Sequence, residues 1–189
     1  MSATRTQIVE AADTLFYQQG FDHTSLADIA GAVGIARGNL TYHFKAKDEI
    51  LSAVIDRRLA TTQAMLDAWE AAGEEPTARI ISFIHILIVN QAKIMAYGCP
   101  VGTLSTELAK LDHAGLPDAA RIFALFRSWL ARQFMLQGHG DTRADELALH
   151  LLGRSQGVAT LATAFKDDHF IRREVAAMQD WLSSLAPTH

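Results

Sequence analysis

SLADIAGAVGIARGNLTYHF, running from Ser25 to Phe44, reads as two short helices on either side of a glycine turn. Leu26, Ile29, Ala30 and Val33 recur at helical spacing. Ser25 stands where a side-chain oxygen satisfies the first orphan N–H groups, and Asp28, three residues on, completes a capping box. Gly34 follows where the chain must turn sharply, because a residue without Cβ takes positive φ at no steric cost, and Ile35 then tucks back into the shared core. The second helix runs from about Ala36 to His43. Its apolar positions are Leu40 and Phe44 with the methyl of Ala36, so Arg37, Gly38, Asn39, Thr41, Tyr42 and His43 are left outward. Two readings are open for such a pair: a helical hairpin with a solvated polar face, or a helix-turn-helix whose second helix fits the major groove of DNA.

The flanks favour the second. Ahead of the pair, Thr4 to Gln19 forms an amphipathic helix with Ile8, Ala11, Ala12, Leu15 and Phe16 on one stripe, Thr4 and Gln7 as its capping box, and Gly20 at its stop. A three-helix core follows. Behind the pair, Lys45, Ala46 and Lys47 lead into a long helix in which Ile50, Leu51, Val54, Ile55, Leu59, Met65, Leu66 and Trp69 fall near helical spacing, ending before Gly73. Two lysines therefore lie at the outer end of the second helix, with Arg5 free to approach a neighbouring groove.

These residues resemble the tetracycline-repressor (TetR) family of bacterial transcription regulators. The matching string comprises the helix before Gly20-Phe21, Thr24 to Ala30, Ala32-Val33-Gly34, Gly38 to Phe44, and Lys47 to Leu51, within roughly the first sixty residues. The resemblance implies that the second helix reads bases and that its surroundings hold phosphates. Carried over residue by residue, it makes Arg37, Gly38, Asn39, Thr41 and His43 base-reading candidates, and Thr24, Ser25, Tyr42 and Lys47 phosphate candidates. The chain departs from the family pattern twice. Thr41 stands where a first tyrosine is usual, which bears on one phosphate contact. Ala36 stands where a capping serine or threonine is common, which weakens the start of the reading helix by about 1 kcal/mol.

Charge does not announce a nucleic-acid binder. Through Arg58 there are six basic residues (Arg5, Arg37, Lys45, Lys47, Arg57, Arg58) and seven acids (Glu10, Asp13, Asp22, Asp28, Asp48, Glu49, Asp56). Phosphate neutralisation with counterion release usually supplies much of the affinity. Here the placement matters more than the sum: Arg37, Lys45 and Lys47 cluster within the second helix and its exit, and helix N-termini add N–H groups and positive dipole ends. A modest salt slope is expected.

The whole chain of 189 residues carries a net charge of -4, is 49% hydrophobic and has one cysteine, Cys99. It can bury a sizeable core, has no intramolecular disulfide, and suits a reducing cytoplasm. No secretory signal is visible, and the most apolar run, Ile80 to Val89, has about half the length that spanning a bilayer requires, so no membrane partner is expected. Apolar spacing predicts an all-α chain of about nine helices: a DNA-binding domain over 1–46 (motif 25–44), a connecting helix over 47–73, and a helical bundle over 74–189 for effector binding and dimerisation. The bundle helices are expected over about Thr77 to Tyr97, Val101 to Leu111, Pro117 or Asp118 to Gln137, Arg143 to Phe165, and Asp168 to Leu185. Glu74-Glu75 and Asp167-Asp168 read as solvated turn charges.

In the last two helices, small residues such as Gly153, Gly157 and Ala164 permit close crossing. Leu151, Val158, Leu161, Phe165, Ile171, Val175, Met178 and Trp181 are the dimer-interface candidates; the alternative is that both faces complete the monomer core. Two reading helices about 34 to 36 Å apart would read a pseudo-palindrome. A cavity in the bundle would suit a small organic effector, with Phe83, His85, Leu87, Met95, Leu104, Leu108, Phe126, Trp129, Gln133 and Gln156 as lining candidates. Taken singly, each of these reads more readily as core, His85 as a core histidine with one hydrogen bond. The expected function is a ligand-responsive repressor binding operator DNA as a homodimer, with the long helix from Lys47 pivoting on effector binding. The alternatives are a helical small-molecule carrier or enzyme on the same scaffold, and a ligand-independent DNA binder. Neither metal-ligand spacing, a phosphate-cradling glycine loop nor a nucleophile elbow is present in the sequence, so no cofactor, metal or catalytic residue is expected.

Overall fold

The computed structural model describes residues 2–73 and 75–185; Glu74 lies outside them. Ten α-helices and no strand occur among the described residues. They are α1 (Ala3–Gln19), α2 (Leu26–Val33), α3 (Arg37–His43), α4 (Lys47–Ala71), α5 (Pro76–Val89), α6 (Gln91–Tyr97), α7 (Pro100–Lys110), α8 (Leu116–Leu136), α9 (Asp141–Phe165) and α10 (Asp168–Ser184). The tenth arises because the helix expected from Thr77 to Tyr97 breaks at Asn90. There φ is −105° and ψ 12°, and the side-chain amide donates to the Ile86 carbonyl at 3.0 Å, competing with the helical ladder as short polar side chains do. The caps of two helices also differ from the expected ones. Ser2, rather than Thr4, caps α1 by accepting the Arg5 N–H. Glu75, rather than Thr77, precedes α5, with Pro76 at its first position, where a missing N–H costs nothing.

The chain divides into two compact units, one of residues 1–61 and 100–122, the other of 62–99 and 123–189. In the first, Ile8, Ala12 and Phe16 of α1 meet Ile29 of α2, Leu40 and Phe44 around α3, and Ile50, Leu51 and Val54 of α4, all buried. Each of these side chains larger than alanine contributes about 1.5–3 kcal/mol by leaving water. Leu104 and Leu108 of α7 and Ala119 of α8 belong to the same core. The unit is thus not continuous in sequence: α7, expected with the C-terminal bundle, completes the N-terminal one.

The second unit is a bundle in which α9 and α10 supply much of the core. Leu147, Leu151, Leu152, Val158, Ala162, Ile171, Val175, Met178 and Leu182 pack with Leu66, Ile80, Ile84, Leu87, Leu130 and Phe134. Among the described residues, no single helix is long and apolar enough to cross a membrane.

Candidate nucleic-acid interface

The geometry of the α2–α3 pair follows from its local sequence. The Ser25 hydroxyl accepts the Asp28 N–H at 3.2 Å, and the Asp28 carboxylate accepts both the Ser25 N–H (2.8 Å) and the Ser25 hydroxyl (2.7 Å). The hydroxyl first, and then the backbone N–H, hold the Asp28 carboxyl below the usual carboxylate range. Gly34 takes φ 73°, ψ 32°, the left-handed turn conformation that favours glycine. Ile35 sends its N–H back to the Ala30 carbonyl at 3.0 Å. Ala36 offers no side-chain cap to α3; of the first-turn N–H groups, that of Asn39 turns to the Ala36 carbonyl at 2.9 Å.

On α3, Leu40 is fully buried, and Phe44 behind it likewise. Arg37, Gly38 and Asn39 are exposed, Thr41 and His43 half-buried, and Tyr42 is 78% exposed. The predicted base-reading residues therefore share one helix of seven residues, anchored by a single apolar plug. Gly38 has a further property: a Cβ built on it meets nothing within 4 Å. Nothing among the described residues requires glycine there, although glycine in a helix costs about 0.5–1 kcal/mol relative to alanine.

The phosphate candidates divide. Tyr42 is presented to solvent, with its ring edge-on to His43. Ser25 is exposed, but its hydroxyl hydrogen and its N–H are committed to Asp28. Thr24 is fully buried, its hydroxyl donating to the Gly20 carbonyl at 2.7 Å and accepting from Gln19; it stabilises the corner before α2 and is unavailable to a phosphate. Lys47 donates through Nζ to the Phe21 carbonyl at 2.9 Å. Arg5, expected to be free, is not: its guanidinium donates to the His43 carbonyl at 2.7 Å and lies 3.8 Å over the Phe44 ring. It ties α1 to the end of the reading helix. Sequence spacing signals neither role, because both partners lie far along the chain.

Two family models match the chain: "Bacterial regulatory proteins, tetR family" over residues 8–54 and "Transcriptional regulator LmrA/YxaF-like, C-terminal domain" over 61–177. The regulator TtgR of Pseudomonas putida is 41% identical over 156 residues, covering 77% of this chain and 74% of that protein. The chain belongs to the TetR family. A Lactococcus lactis regulator encoded in the lacX 3′ region is 33% identical over 111 residues, 58% of this chain and 57% of its own length. A TetR regulator from Legionella pneumophila superposes with a TM-score of 0.85 at 23% identity, covering 96% of this chain and 97% of the other. That likeness shows the shared fold.

In this TetR-family chain the second unit separates the remaining candidates. Leu151, Val158, Ile171, Val175 and Met178, read as interface residues, are buried within their own unit. Their stripe is spent on the monomer core. Trp181 is half-buried, its ring 4.8 Å from that of His150. Leu161 (42% exposed) and Phe165 (65%) remain outside, and Leu149 (44%), which sequence reasoning missed, joins them. With Gly153 and Gly157, both exposed and with open space where a Cβ would stand, they form a four-residue-spaced ridge along α9.

The effector candidates also divide. Leu104 and Leu108 pack in the first unit. His85 is exposed rather than core, its Nε2 3.0 Å from Gln179 Nε2. Phe83, Leu87 and Trp129 are buried in the second unit, with Met95 and Phe126 half-buried against the same core; Gln156 is half-buried. Gln133 is fully buried within a polar group that the sequence did not signal. Glu70 accepts the Trp129 indole N–H at 2.6 Å, pairs with Arg132, and takes a long bond from Gln133 at 3.4 Å. Arg79 Nη1 donates to Gln133 Oε1 at 3.3 Å, while its buried Nε has no hydrogen-bond partner among the described residues. Trp69 and Trp129 lie 5.6 Å apart beside this group, and Phe83 meets Phe126 at 5.4 Å.

Proposed function

We propose that this chain is a ligand-responsive repressor that binds a pseudo-palindromic operator as a homodimer and is released by a small organic effector. The observation that carries the DNA contact is Gly38: a helix-weakening residue on the polar side of α3, with no steric reason within its own chain. Glycine in such a place lets another surface approach the backbone closely. Arg37, Asn39, Thr41 and His43 flank it and read base edges; Tyr42 and the first-turn N–H groups of α2 hold phosphates. Operator DNA as the partner sets the working compartment as the cytoplasm. The α9 ridge, Leu149, Gly153, Gly157, Leu161 and Phe165, takes the same ridge of a second copy about a two-fold axis. The effector binds beside Trp69 and Trp129, where the unmet Arg79 N–H calls for an aromatic compound bearing a hydrogen-bond acceptor. The curated relatives' role as transcriptional regulators supports a binding rather than a catalytic function.

Selection of bound sites from random duplex DNA tests the reading. The expected result is an inverted repeat whose half-sites lie about 34–36 Å apart centre to centre. Enrichment of no site, or of a single unrepeated one, rejects the operator-binding dimer.

A further inference from the structure

The corner between α1 and α2 is held by two helices from elsewhere in the first unit. Both carboxylate oxygens of Glu107 on α7 accept backbone N–H groups, from Phe21 at 2.9 Å and from Asp22 at 2.9 Å. Lys47 on α4 donates through Nζ to the carbonyls of the same two residues, at 2.9 and 3.4 Å, and lies 4.2 Å from the centre of the Phe21 ring. Two successive residues therefore have their N–H groups on an anion and their carbonyls on a cation, the stronger class of hydrogen bond. The seat is close-fitting. Gly20 has φ +94°, and a Cβ there would stand 2.9 Å from Glu107 Oε1. His113, just beyond α7, closes the corner with its ring edge-on to Phe21 at 5.0 Å and its Nδ1 accepting the Gly115 N–H at 2.9 Å.

Ser25, the cap of α2, follows this corner by only three residues. The direction in which the chain leaves Asp22 sets where α2 starts, and α2 carries α3 through the Gly34 turn. We infer that Glu107 is a positioning residue for operator recognition, acting through the Phe21-Asp22 amides on the α2–α3 pair. The inference rests on the DNA-binding reading above. It also has a sign that plain electrostatics reverses: removing a carboxylate from a DNA-binding unit strengthens attraction to a polyanion, whereas losing the clasp weakens sequence-specific binding.

The test uses full-length Glu107→Ala and Glu107→Gln. Affinity for the selected operator and for a scrambled duplex is measured by fluorescence anisotropy well below each variant's Tm, with amide exchange followed in the segment 17–26. For Glu107→Ala the expected result is operator binding at least tenfold weaker, scrambled-duplex binding within twofold, and faster exchange in that segment. Glu107→Gln keeps one acceptor oxygen for the two N–H groups and falls between, at least threefold weaker on the operator. Should the alanine variant not fold, the near-isosteric glutamine variant decides. Operator affinity within twofold of the unaltered protein, or a gain on both duplexes, overturns the role. An unaltered protein that selects no site would instead overturn the regulator reading, so the two failures are distinct.

Discussion

Helices α3 and α9, like α2 with Gly31, carry glycines without a steric cause among the described residues. Gly38 lies on α3, Gly153 and Gly157 on α9, and a Cβ at any of them would enter open space. Each forgoes about 0.5–1 kcal/mol of helix stability relative to alanine. The neighbours differ. Around Gly38 stand Arg37, Asn39 and Tyr42; around Gly153 and Gly157 stand Leu149, Leu161 and Phe165. On the function proposed above, these vacancies admit another surface, and the chemistry beside each suits it: hydrogen-bonding groups for a base-pair edge, aliphatic and aromatic groups for a second copy of the same helix.

The α9 side of this comparison should break most severely. Leu161→Glu combined with Phe165→Ser is expected to give monomers by analytical ultracentrifugation and to drop operator affinity toward the non-specific level, roughly 10³-fold or more. Leu151→Ala, on the opposite, buried face of the same helix, should instead cost about 2–5 kcal/mol of unfolding free energy. A dimer persisting in the first variant would remove the ridge from the interface. On α3, Asn39→Ala should lose about 1–3 kcal/mol of discrimination at particular base pairs, read as a flattened preference in repeated site selection; an equal loss on operator and scrambled DNA would reject base reading. Gly38→Ala separates function from fold by sign: thermal unfolding should show a gain of about 0.5–1 kcal/mol, while operator binding weakens. If both improve, nothing approaches that backbone.

The smallest expected effect concerns the capping box. Because the Ser25 hydroxyl and then its N–H lower the Asp28 pKa on folding, the associated stability is present above about pH 4 and is lost as pH falls through the lowered value. Asp28→Asn should flatten the acid limb of a Tm-against-pH curve below about pH 4 and leave its neutral limb nearly parallel.

The α2–α3 pair was legible because its determinants are local. A serine with an aspartate three residues on, a glycine at the turn and one leucine plug each act within a few residues. The poor cap at Ala36 was legible for the same reason. Long-range ties were not: Arg5 reaching His43 and Glu107 reaching Phe21 leave no periodic trace. The stripe on α9 and α10 showed which residues share a face, but periodicity alone does not say whether a face is covered by its own chain or by another copy. Leu151 and Ile171 went to the core, while Leu161 and Phe165 stayed out. The break at Asn90 was missed because α5 is apolar on nearly every side, which masks the amide that turns back on Ile86.

The placement of α7 has a consequence for biosynthesis. Leu104, Leu108 and Ala119 complete a core whose other buried members precede Thr61, so a nascent chain leaving the ribosome exposes Phe21 and Ile50 until the segment through residue 122 has emerged. At about 5–20 residues per second, some sixty further residues take roughly 3–12 s. During that interval the N-terminal helices are unfinished, a window for chaperone capture that a self-sufficient three-helix bundle would not have.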